Sequence, residues 1–406
     1  TPKPSSAASD VYKRQVCYGN SGANLSVYDI TTGLVKPSAY QFQTQPNGSC
    51  GPMLNRADGN LFFGLNAGIL YDTQSVGPFV SVDMSTGVLT DYHLDGGVWA
   101  LQQVGRRLFI APKNVTQGFG GALSGKLLSF DMDAQTGSAV PLGTLDPIFS
   151  GDVKFLASGG DKLALVGDNQ AMLFMQIDSS GVLTAMDKGF SSSGTITGVE
   201  AVGDQLFVIG DLQDITGGYI STGNPSESFT SVGLAMRVSL SDLVGHTLGS
   251  TLVPSTYGSM LSLPPFLKTI GTDIYVIGLE TVNGSPQSVA RFKGSDGSLD
   301  AAFKPLVSYD YMGVLTLNGV LEDIVKTDTG DLSMGGLFTV NSGGQATNFS
   351  ATFDFVTGAV VGPSTTPFPD YSLVAPAAYK MELGPQSERV LFSNILSTGL
   401  SSFSIY

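Results

Sequence analysis

The feature that most constrains the fold of this chain is a short motif that recurs along its length. Each copy is an alternating or apolar run, then Asp, then a polar turn ending in Gly, as in VSVDMSTG (80–87) and ATFDFVTG (351–358). Alternating residues occupy opposite faces of a strand, Asp accepts turn N–H groups, and Gly supplies the positive φ that closes a hairpin. The motif therefore predicts one β-hairpin per copy, with its Asp in a structural rather than a catalytic role. The turn aspartates are Asp29, Asp83, Asp131, Asp178 and Asp354.

A second strand precedes each hairpin, as in DQLFVIGDL (204–212) and TDIYVIGLE (272–280), and a weaker strand precedes several of these. Four-stranded units that repeat about every 40–60 residues are typical of a β-propeller, in which neighbouring sheets cover each other's faces. A parallel β-helix has shorter rungs, and a two-sheet sandwich would not keep one motif in phase so often. We expect an all-β fold: a single β-propeller of seven or eight four-stranded blades over residues 16–406, with incomplete terminal blades.

One stretch, GLETVNGSPQSVARFKGSDGSLDAAFKP (278–305), is similar to a bacterial propeller repeat of the delta-sixty type, and GGLFTVNSGG (335–344) matches it less well. The matching residues of the first stretch are Gly278, Thr281, Val282, Asn283, Gly284, Ala290, Arg291, Phe292, Asp296, Gly297, Ser298, Leu299, Asp300 and Phe303. The resemblance is clear in about two units and elsewhere covers only the turn. It implies an extracellular or surface propeller without assigned catalytic residues.

The first fifteen residues differ from everything that follows them. They have no apolar period, and Asp10 to Gln15 reads as the translation of GATGTGTATAAGAGACAG, which resembles the end of a transposase adapter used in sequencing libraries. We expect residues 1–15 to be a non-native or disordered tail. On this interpretation the natural N-terminus is lost, and the chain is a fragment from a metagenomic or draft sequence set.

Composition excludes some classes of partner. The net charge is −14 and no basic stripe offsets it, which argues against nucleic-acid binding. No apolar run approaches the ~20 residues of a membrane helix, so we expect no transmembrane segment. Charged residues are only 13% of the chain while Gly, Ser and Thr are abundant, a composition that favours a secreted or cell-surface protein.

The two cysteines, Cys17 and Cys50, have no further Cys or His at metal-ligand spacing, which argues against a zinc site. They can form one disulfide in an oxidising compartment, or remain two free thiols. The disulfide agrees with export, and we favour it.

Few residues point to catalysis. His93 and His246 lie in turns or at strand ends, without a nucleophile or metal-ligand pattern. Propeller glycosidases use paired carboxylates, for which the candidates are Glu200, Glu280 and Glu322. We expect no cofactor. Calcium is the alternative, because DMDAQTG (131–137) and GSDGSLD (294–300) bring carboxylates and carbonyls together, although without the spacing of a dedicated loop.

Two long loops, 115–125 and 214–233, are candidate recognition elements. Their aromatic residues Phe119, Tyr219 and Phe229 could stack on a sugar or a partner chain. The favoured hypothesis is a non-catalytic secreted or surface propeller that binds a protein or a glycan, within a larger adhesin-like protein. The alternative is a hydrolase or lyase that acts on polysaccharide through funnel carboxylates. A third is a structural repeat in an envelope or filament assembly.

Overall fold

A computed structural model describes most of the chain between residues 50 and 363, together with six separate strands. The main ranges are 50–142, 151–255, 265–311 and 315–363. Short gaps within these ranges are 57–59, 66–68, 72–73, 84–85, 87, 124, 219–224, 230–231, 249, 319, 327–329 and 343–344. The separate strands are 14–15, 24–26, 41–44, 377–383, 389–394 and 401–405. All regular secondary structure in these residues is β.

The described strands are numbered in chain order. Up to residue 192 they are β1 (Arg14–Gln15), β2 (Asn24–Ser26), β3 (Gln41–Thr44), β4 (Cys50–Asn55), β5 (Asn60–Leu65), β6 (Ile69–Tyr71), β7 (Gln74–Val76), β8 (Phe79–Asp83), β9 (Leu89–Asp91), β10 (Gly97–Val104), β11 (Arg107–Lys113), β12 (Gln117–Gly118), β13 (Gly121–Ala122), β14 (Leu128–Asp131), β15 (Thr136–Ala139), β16 (Val153–Gly159), β17 (Lys162–Gly167), β18 (Ala171–Ile177) and β19 (Leu183–Ser192). From residue 195 they are β20 (Thr195–Val202), β21 (Gln205–Leu212), β22 (Ile215–Gly218), β23 (Pro225–Phe229), β24 (Gly233–Ser239), β25 (Val244–Thr247), β26 (Leu252–Pro254), β27 (Phe266–Ile270), β28 (Asp273–Ile277), β29 (Leu279–Val282), β30 (Ser285–Pro286), β31 (Val289–Lys293), β32 (Ser308–Tyr311), β33 (Leu315–Asn318), β34 (Val320–Lys326), β35 (Leu332–Ser342), β36 (Gln345–Phe353), β37 (Val360–Pro363), β38 (Ala377–Leu383), β39 (Arg389–Asn394) and β40 (Ser401–Ile405).

The chain forms two compact units. Unit 1 comprises Thr1–Tyr28, Val35–Ser191 and Gly217–Ser226, and unit 2 comprises Asp29–Leu34, Ser192–Thr216 and Glu227–Tyr406. Both are built from antiparallel sheets whose strands pair in the order of the sequence, in some cases with a hairpin inserted between two of them. We call each such sheet a blade. Blades 1 to 3 are β4-β5-β8-β9, β10-β11-β14-β15 and β16-β17-β18-β19. Blades 4 to 7 are β20-β21-β24-β25, β27-β28-β31, β34-β35-β36-β37 and β38-β39-β40.

The first strands of successive blades lie side by side. In unit 1, β10 contacts β4, and β16 contacts β10; in unit 2, β27 contacts β20, β34 contacts β27, and β38 contacts β34. Small sheets joined along their first strands are the architecture of a multi-blade β-propeller. The predicted fold class is therefore confirmed, whereas the number of seven or eight blades and the boundary between 1–15 and 16–406 stay predictions. Within that expected tail, Arg14 and Gln15 pair with Met53 and Pro52.

The hydrophobic core lies between neighbouring blades. In unit 1, Phe62 and Phe79 of blade 1 pack with Phe130 of blade 2, and the Phe79 and Phe130 rings are 5.6 Å apart at their centroids. In unit 2, Phe207 of blade 4 packs against Phe292 of blade 5 at 6.0 Å. All of these rings are 3% exposed or less. Because each sheet is covered by its neighbour, its strands can be apolar on both faces.

The two ends of a blade differ. We call the end where the first strand turns into the second, and the third into the fourth, the turn end. Two-residue turns join β10 to β11 and β20 to β21, and their first residues, Gly105 and Gly203, both have φ of 56°. Such turns need positive φ, which Gly adopts at low cost. The turn end is therefore short and compact.

The opposite end, which we call the hairpin end, carries additional β-structure. Hairpins are inserted between the second and third strands of blades 1, 2, 4 and 5, namely β6-β7, β12-β13, β22-β23 and β29-β30. Strands that precede a blade pair with these insertions: β3 pairs with β6, and β26 pairs with β29. The hairpin end therefore has a second layer of small sheets that the turn end lacks in the described residues.

Candidate binding site at the hairpin end

A β-bulge recurs near the start of the first strands. The pairing of β10 with β11 skips Trp99, that of β16 with β17 skips Lys154, that of β20 with β21 skips Thr197, and that of β34 with β35 skips Glu322. A bulge redirects the side chain of the extra residue and is common beside functional sites. Because a first strand begins at the hairpin end, these four residues lie at equivalent positions near that end of their blades.

Trp99 and Lys154, the bulge residues of blades 2 and 3, contact each other. The Lys154 ammonium lies 3.4 Å from the centroid of the Trp99 ring, and the Lys113 ammonium lies 4.5 Å from it. Lys113 is the last residue of β11 and pairs with Gly97. An ammonium group over an indole ring is attracted by the ring quadrupole. Two cations from neighbouring blades thus converge on one partly exposed aromatic ring.

A carboxylate fixes this arrangement. Asp152 Oδ2 accepts a hydrogen bond of 2.9 Å from the Trp99 indole N–H and lies 3.8 Å from the Lys154 ammonium. The side chains of Lys154 and Asp152 are 25% and 33% exposed, so solvent reaches the cluster. Asp168 lies close by, because its backbone N–H donates to the Asp152 carbonyl at 3.0 Å. We call Trp99, Lys113, Asp152 and Lys154 the Trp99 cluster.

Asp95 holds the inserted hairpin of blade 2 beside the start of β10. Its carboxylate accepts backbone hydrogen bonds from Thr116 at 2.8 Å and Gln117 at 3.0 Å, and a third from the Thr116 hydroxyl. Hydrogen bonds from Gln117 and Thr116 lower the pKa of Asp95. In the hairpin itself, Gly121 and Ala122 are exposed. An accessible edge strand and the Trp99 cluster therefore both lie at the hairpin end of blade 2.

The turn aspartates accept hydrogen bonds within their own turns. Asp178 Oδ1 accepts from the backbone of Ser180 at 2.8 Å and of Val182 at 2.9 Å, and Asp354 Oδ1 accepts from Thr357 N–H at 2.6 Å. Asp131 receives bonds from the backbone of residues 133 and 134, and Asp83 receives one from residue 86. Asp29 lies outside the described residues.

An arginine of the preceding blade meets several of these turns. Arg56 bonds to Asp133 at 2.6 Å, and Arg291 donates to the carbonyl oxygens of Phe355 and Val356. The stem of Arg107 lies against Gly181, and that of Arg237 lies against Gly297. The Asp-turn therefore also contacts an arginine of the preceding blade, and this contact joins the two blades at the turn end.

Three of the residues that match the bacterial repeat, Arg291, Asp300 and Phe303, contact one another in unit 2. The Arg291 side chain, 6% exposed, binds Asp300 through both Nε and Nη2, and its guanidinium lies 4.5 Å from the centroid of the Phe303 ring. Burial raises the pKa of the neighbouring Tyr275 to about 12. These contacts give Arg291, Asp300 and Phe303 a packing role.

The loop aromatics have different surroundings. The Phe119 ring stacks on Phe130 at 5.4 Å and packs against Tyr92 and Phe79, so it covers the core between blades 1 and 2. Phe229 is the partly exposed last residue of β23. Tyr219 lies outside the described residues. A binding role for the three residues stays a prediction.

The remaining candidates lie on different strands and turns. His93 Nδ1 lies 3.2 Å from Asp91, and His246 is in β25. Glu200 is in β20 and Glu280 in β29, while Glu322 is the bulge residue of β34. Cys50 begins β4, Cys17 lies outside the described residues, and their disulfide stays a prediction.

The carboxylates of the two calcium candidates contact arginines: Asp131 faces Arg106 and Arg107, and Asp300 binds Arg291. Within the described ranges, no three His, Cys, Asp or Glu side chains converge as a metal site. Calcium binding stays a prediction. The same ranges contain no helix of the length and apolarity required to cross a membrane.

The sequence analysis did not single out Trp99, Lys113, Asp152 or Lys154 as site residues. The available signal was an alignment of the first strands. In that alignment VWA (98–100), VKF (153–155) and ITG (196–198) share one frame, which places Trp99, Lys154 and Thr197 in one column.

No protein-family model matches the chain, and no curated protein sequence matches it. Among solved structures, it is similar to a chain of the mitotic checkpoint complex, at 10% identity over 99% of this chain and 96% of that chain, with a TM-score of 0.42. It is also similar to the β-propeller domain of Myceliophteria thermophila Cps50 (Swd1), at 12% identity, 87% and 94% coverage and a TM-score of 0.41. The C-terminal WD40 domain of Sif2 is similar at 9% identity, 98% and 97% coverage and a TM-score of 0.47.

Proposed function

We propose that this chain is a non-catalytic, secreted or cell-surface β-propeller that binds a protein partner at the hairpin end of unit 1. The observation that carries the proposal is the Trp99 cluster, in which two lysines from neighbouring blades meet a partly exposed tryptophan. Tryptophan is one of the residues that contribute most to the energetics of protein interfaces. The rest of the hairpin end supplies the surface around this centre.

The inserted hairpin of blade 2 supports a peptide or protein ligand. Its strands are two residues each, and the outer one, Gly121–Ala122, is exposed. An exposed strand edge offers unpaired N–H and C=O groups to an extended segment of a partner. Asp95 holds this edge in place through its bonds to Thr116 and Gln117. The hairpin edge and the Trp99 ring are therefore two fixed features at the same end of blade 2.

Export is supported by composition. Only 13% of the residues are charged, and the chain holds two cysteines in 406 residues. A composition low in charge and rich in Gly, Ser and Thr agrees with an extracellular setting. The predicted Cys17–Cys50 disulfide would require an oxidising compartment.

Selection from a random peptide library displayed on phage tests the function directly. We expect the immobilised chain to enrich peptides that bind the folded protein and not the urea-unfolded protein. Ala122→Arg, at the exposed edge of the inserted hairpin, should weaken the selected peptides about tenfold or more. Ser179→Arg places the same side chain on an exposed residue at the turn end of unit 1 and serves as the matched control. Failure to enrich any peptide, or equal losses in both variants, would contradict the proposal.

A further inference from the structure

The turn of the inserted hairpin in blade 2 has a backbone conformation that is unusual for the side chain it carries. Phe119 has φ of 51°, which lies in the left-handed region, where a bulky residue is an outlier and costs free energy. Gly118 precedes it, and Gly120 and Gly121 follow it. A strained residue of this kind persists only where the surrounding structure holds it in place, so the contacts of the Phe119 ring need an explanation.

The Phe119 ring occupies a site that is walled by three other aromatic rings. It stacks on Phe130 at 5.4 Å with 21° between the ring planes, and its centroid lies 6.3 Å from that of Phe79 and 6.5 Å from that of Tyr92. Gly137, which pairs with Phe130, completes the site, because a Cβ built on it would overlap the Phe119 ring. We call Phe79, Tyr92, Phe130 and Gly137 the ring site. Its shape and chemistry suit one phenyl ring.

The walls of the ring site are held in place by contacts that do not involve Phe119. Phe79 and Phe130 are fully buried in the core between blades 1 and 2. Tyr92 lies 4.7 Å from Phe130 between ring centroids, and its hydroxyl is hydrogen-bonded to the Ser81 hydroxyl at 2.8 Å. Phe119 itself is partly exposed, so the site reaches the surface. Without the Phe119 ring, a preformed apolar pocket would remain.

The inserted hairpin is fixed at its stem and surrounded by free space at its turn. Asp95 holds the stem through the hydrogen bonds described above. A Cβ added at Gly120 or Gly121 would meet no atom within 4 Å. The turn is held down by a backbone hydrogen bond of 3.0 Å from the Phe119 N–H to the Tyr92 carbonyl. Rotation at the turn can therefore move the Phe119 ring out of its site while the stem stays in place.

We infer that the ring site binds the phenyl ring of a Phe or Tyr side chain of the peptide partner, and that Phe119 occupies the site until the partner displaces it. The inference rests on the proposed function, because the ring site lies at the turn of the hairpin whose exposed outer strand is Gly121–Ala122. A peptide that adds to a strand edge gains specificity from pockets for its side chains, and buried aromatic residues are common anchors. Release of the strained backbone at Phe119 favours the exchange.

Phe119 and the ligand compete for one site, and this competition gives the inference a distinctive signature. The apparent affinity for a ligand falls with the fraction of molecules whose site is free. Removal of the Phe119 ring should therefore strengthen ligand binding, whereas a side chain that fills the ring site should weaken it. A purely structural Phe119 predicts the opposite, because its removal would loosen the hairpin and weaken any ligand.

The probe is a fluorescein-labelled, C-terminally amidated peptide of residues 115–123 (VTQGFGGAL), which presents a phenyl ring in the natural sequence context. The control is the same peptide with alanine in place of its phenylalanine. Fluorescence anisotropy measures binding to the full chain. We expect Phe119→Ala to bind the probe about tenfold more tightly than the unaltered chain does, and not to bind the control peptide. Adding Gly137→Ala to Phe119→Ala should remove this gain, because the new Cβ lies where the ring would enter.

Gly217→Ala, added to Phe119→Ala in place of Gly137→Ala, is the matched control. A Cβ built at Gly217 would overlap the ring of Phe190 in β19 of blade 3, so the change is of the same kind but spares the ring site. This variant should keep the gain in affinity. Circular dichroism checks that each variant is folded. The inference is overturned if Phe119→Ala binds the probe no more tightly than the unaltered chain, or if the control peptide binds equally well. Equal effects of Gly137→Ala and Gly217→Ala would also overturn it.

The unaltered chain provides a second test, which does not require any variant of the ring site to fold. Peptides from the phage selection that lose binding in Ala122→Arg should contain a Phe or Tyr, and replacing that residue by alanine should weaken them about tenfold or more. Peptides that bind at this edge without such a residue would refute the ring site and leave the proposed protein-binding function intact. Failure of the selection would contradict the proposed function, while the probe peptide still decides on the ring site.

Discussion

Arg291 shows how one side chain can join two blades of unit 2. It binds Asp300 of its own blade, lies between the Phe303 and Phe355 rings, and donates to the Phe355 and Val356 carbonyls of the next blade. Arg291→Met leaves Asp300, which is 19% exposed, without its counter-ion. Removing one partner of such a pair costs about 3 kcal/mol of unfolding free energy. Urea unfolding followed by circular dichroism measures this loss. Tryptophan fluorescence is less suitable, because Trp99 lies in unit 1 and Arg291 lies in unit 2.

Arg106 provides the control for that prediction. It lies 3.5 Å from Asp131 but is 60% exposed, and solvent-exposed pairs contribute less than about 1 kcal/mol. Arg106→Met should therefore change the unfolding free energy little. The double variant Arg291→Met with Asp300→Asn should recover part of the stability, because it removes the unpaired charge. Equal losses in Arg106→Met and Arg291→Met would contradict the joining role.

At the scale of the hairpin, the closing glycine of the Asp-turn is required for two reasons: its φ is positive, and the neighbouring segment leaves no space for a side chain. Gly358 has φ of 71°, and a Cβ added there would lie 2.7 Å from the backbone nitrogen of Pro305 and 2.6 Å from its Cδ. The adjacent Thr357 carbonyl accepts a hydrogen bond from Lys304 at 2.8 Å. The turn thus docks closely on the segment that follows β31, so the third-to-fourth strand turn of blade 6 has little room for a side chain.

Gly358→Ala is therefore expected to destabilise unit 2 more than a change of φ alone would. Gly284→Ala is the matched control, because Gly284 has φ of 76° and no atom within 4 Å of an added Cβ. Alanine at positive φ costs about 1–2 kcal/mol, and overpacking adds about 1–3 kcal/mol. Urea unfolding midpoints of the two variants measure the difference. Equal midpoints would show that the docking contact adds nothing.

At the scale of the whole molecule, the features that could be predicted from the sequence are those set by local chemistry, namely the strands, the Asp-turns and the fold class. The strands before Asp131 and Asp178, and the turns that these residues close, follow from alternation and from backbone hydrogen bonding, and their period gave the propeller class. The Trp99 cluster depends on a bulge, which arises when two strands pair one residue out of step, and on contact between residues 99 and 154. Neither the register nor the packing of neighbouring blades is visible in local composition. For the same reason the core position of Phe119 was missed.

The repeated Asp-turn should also determine how the molecule responds to acid. The pKa values of several turn carboxylates are lowered. For Asp354 the main causes are hydrogen bonds from the Thr357 hydroxyl and backbone N–H, and for Asp178 they are hydrogen bonds from the Ser180 hydroxyl and the Val182 backbone N–H. The pKa values are also lowered for Asp131, for Asp242 in the turn between β24 and β25, and for Asp296 in the turn after β31. As pH falls, the unfolded chain takes up protons first, near its ordinary Asp pKa of about 3.9.

These carboxylates therefore stabilise the fold fully above about pH 4, and their contribution is lost as pH falls through the lowered folded values. We expect the urea midpoint to be flat from pH 7 to pH 5 and to drop between pH 4 and pH 2. Asp178→Asn with Asp354→Asn should be less stable at pH 7 and show a shallower drop, since it has two fewer groups to protonate. A double variant whose drop is as steep as that of the unaltered chain would mean that the acid response arises elsewhere than in the turns.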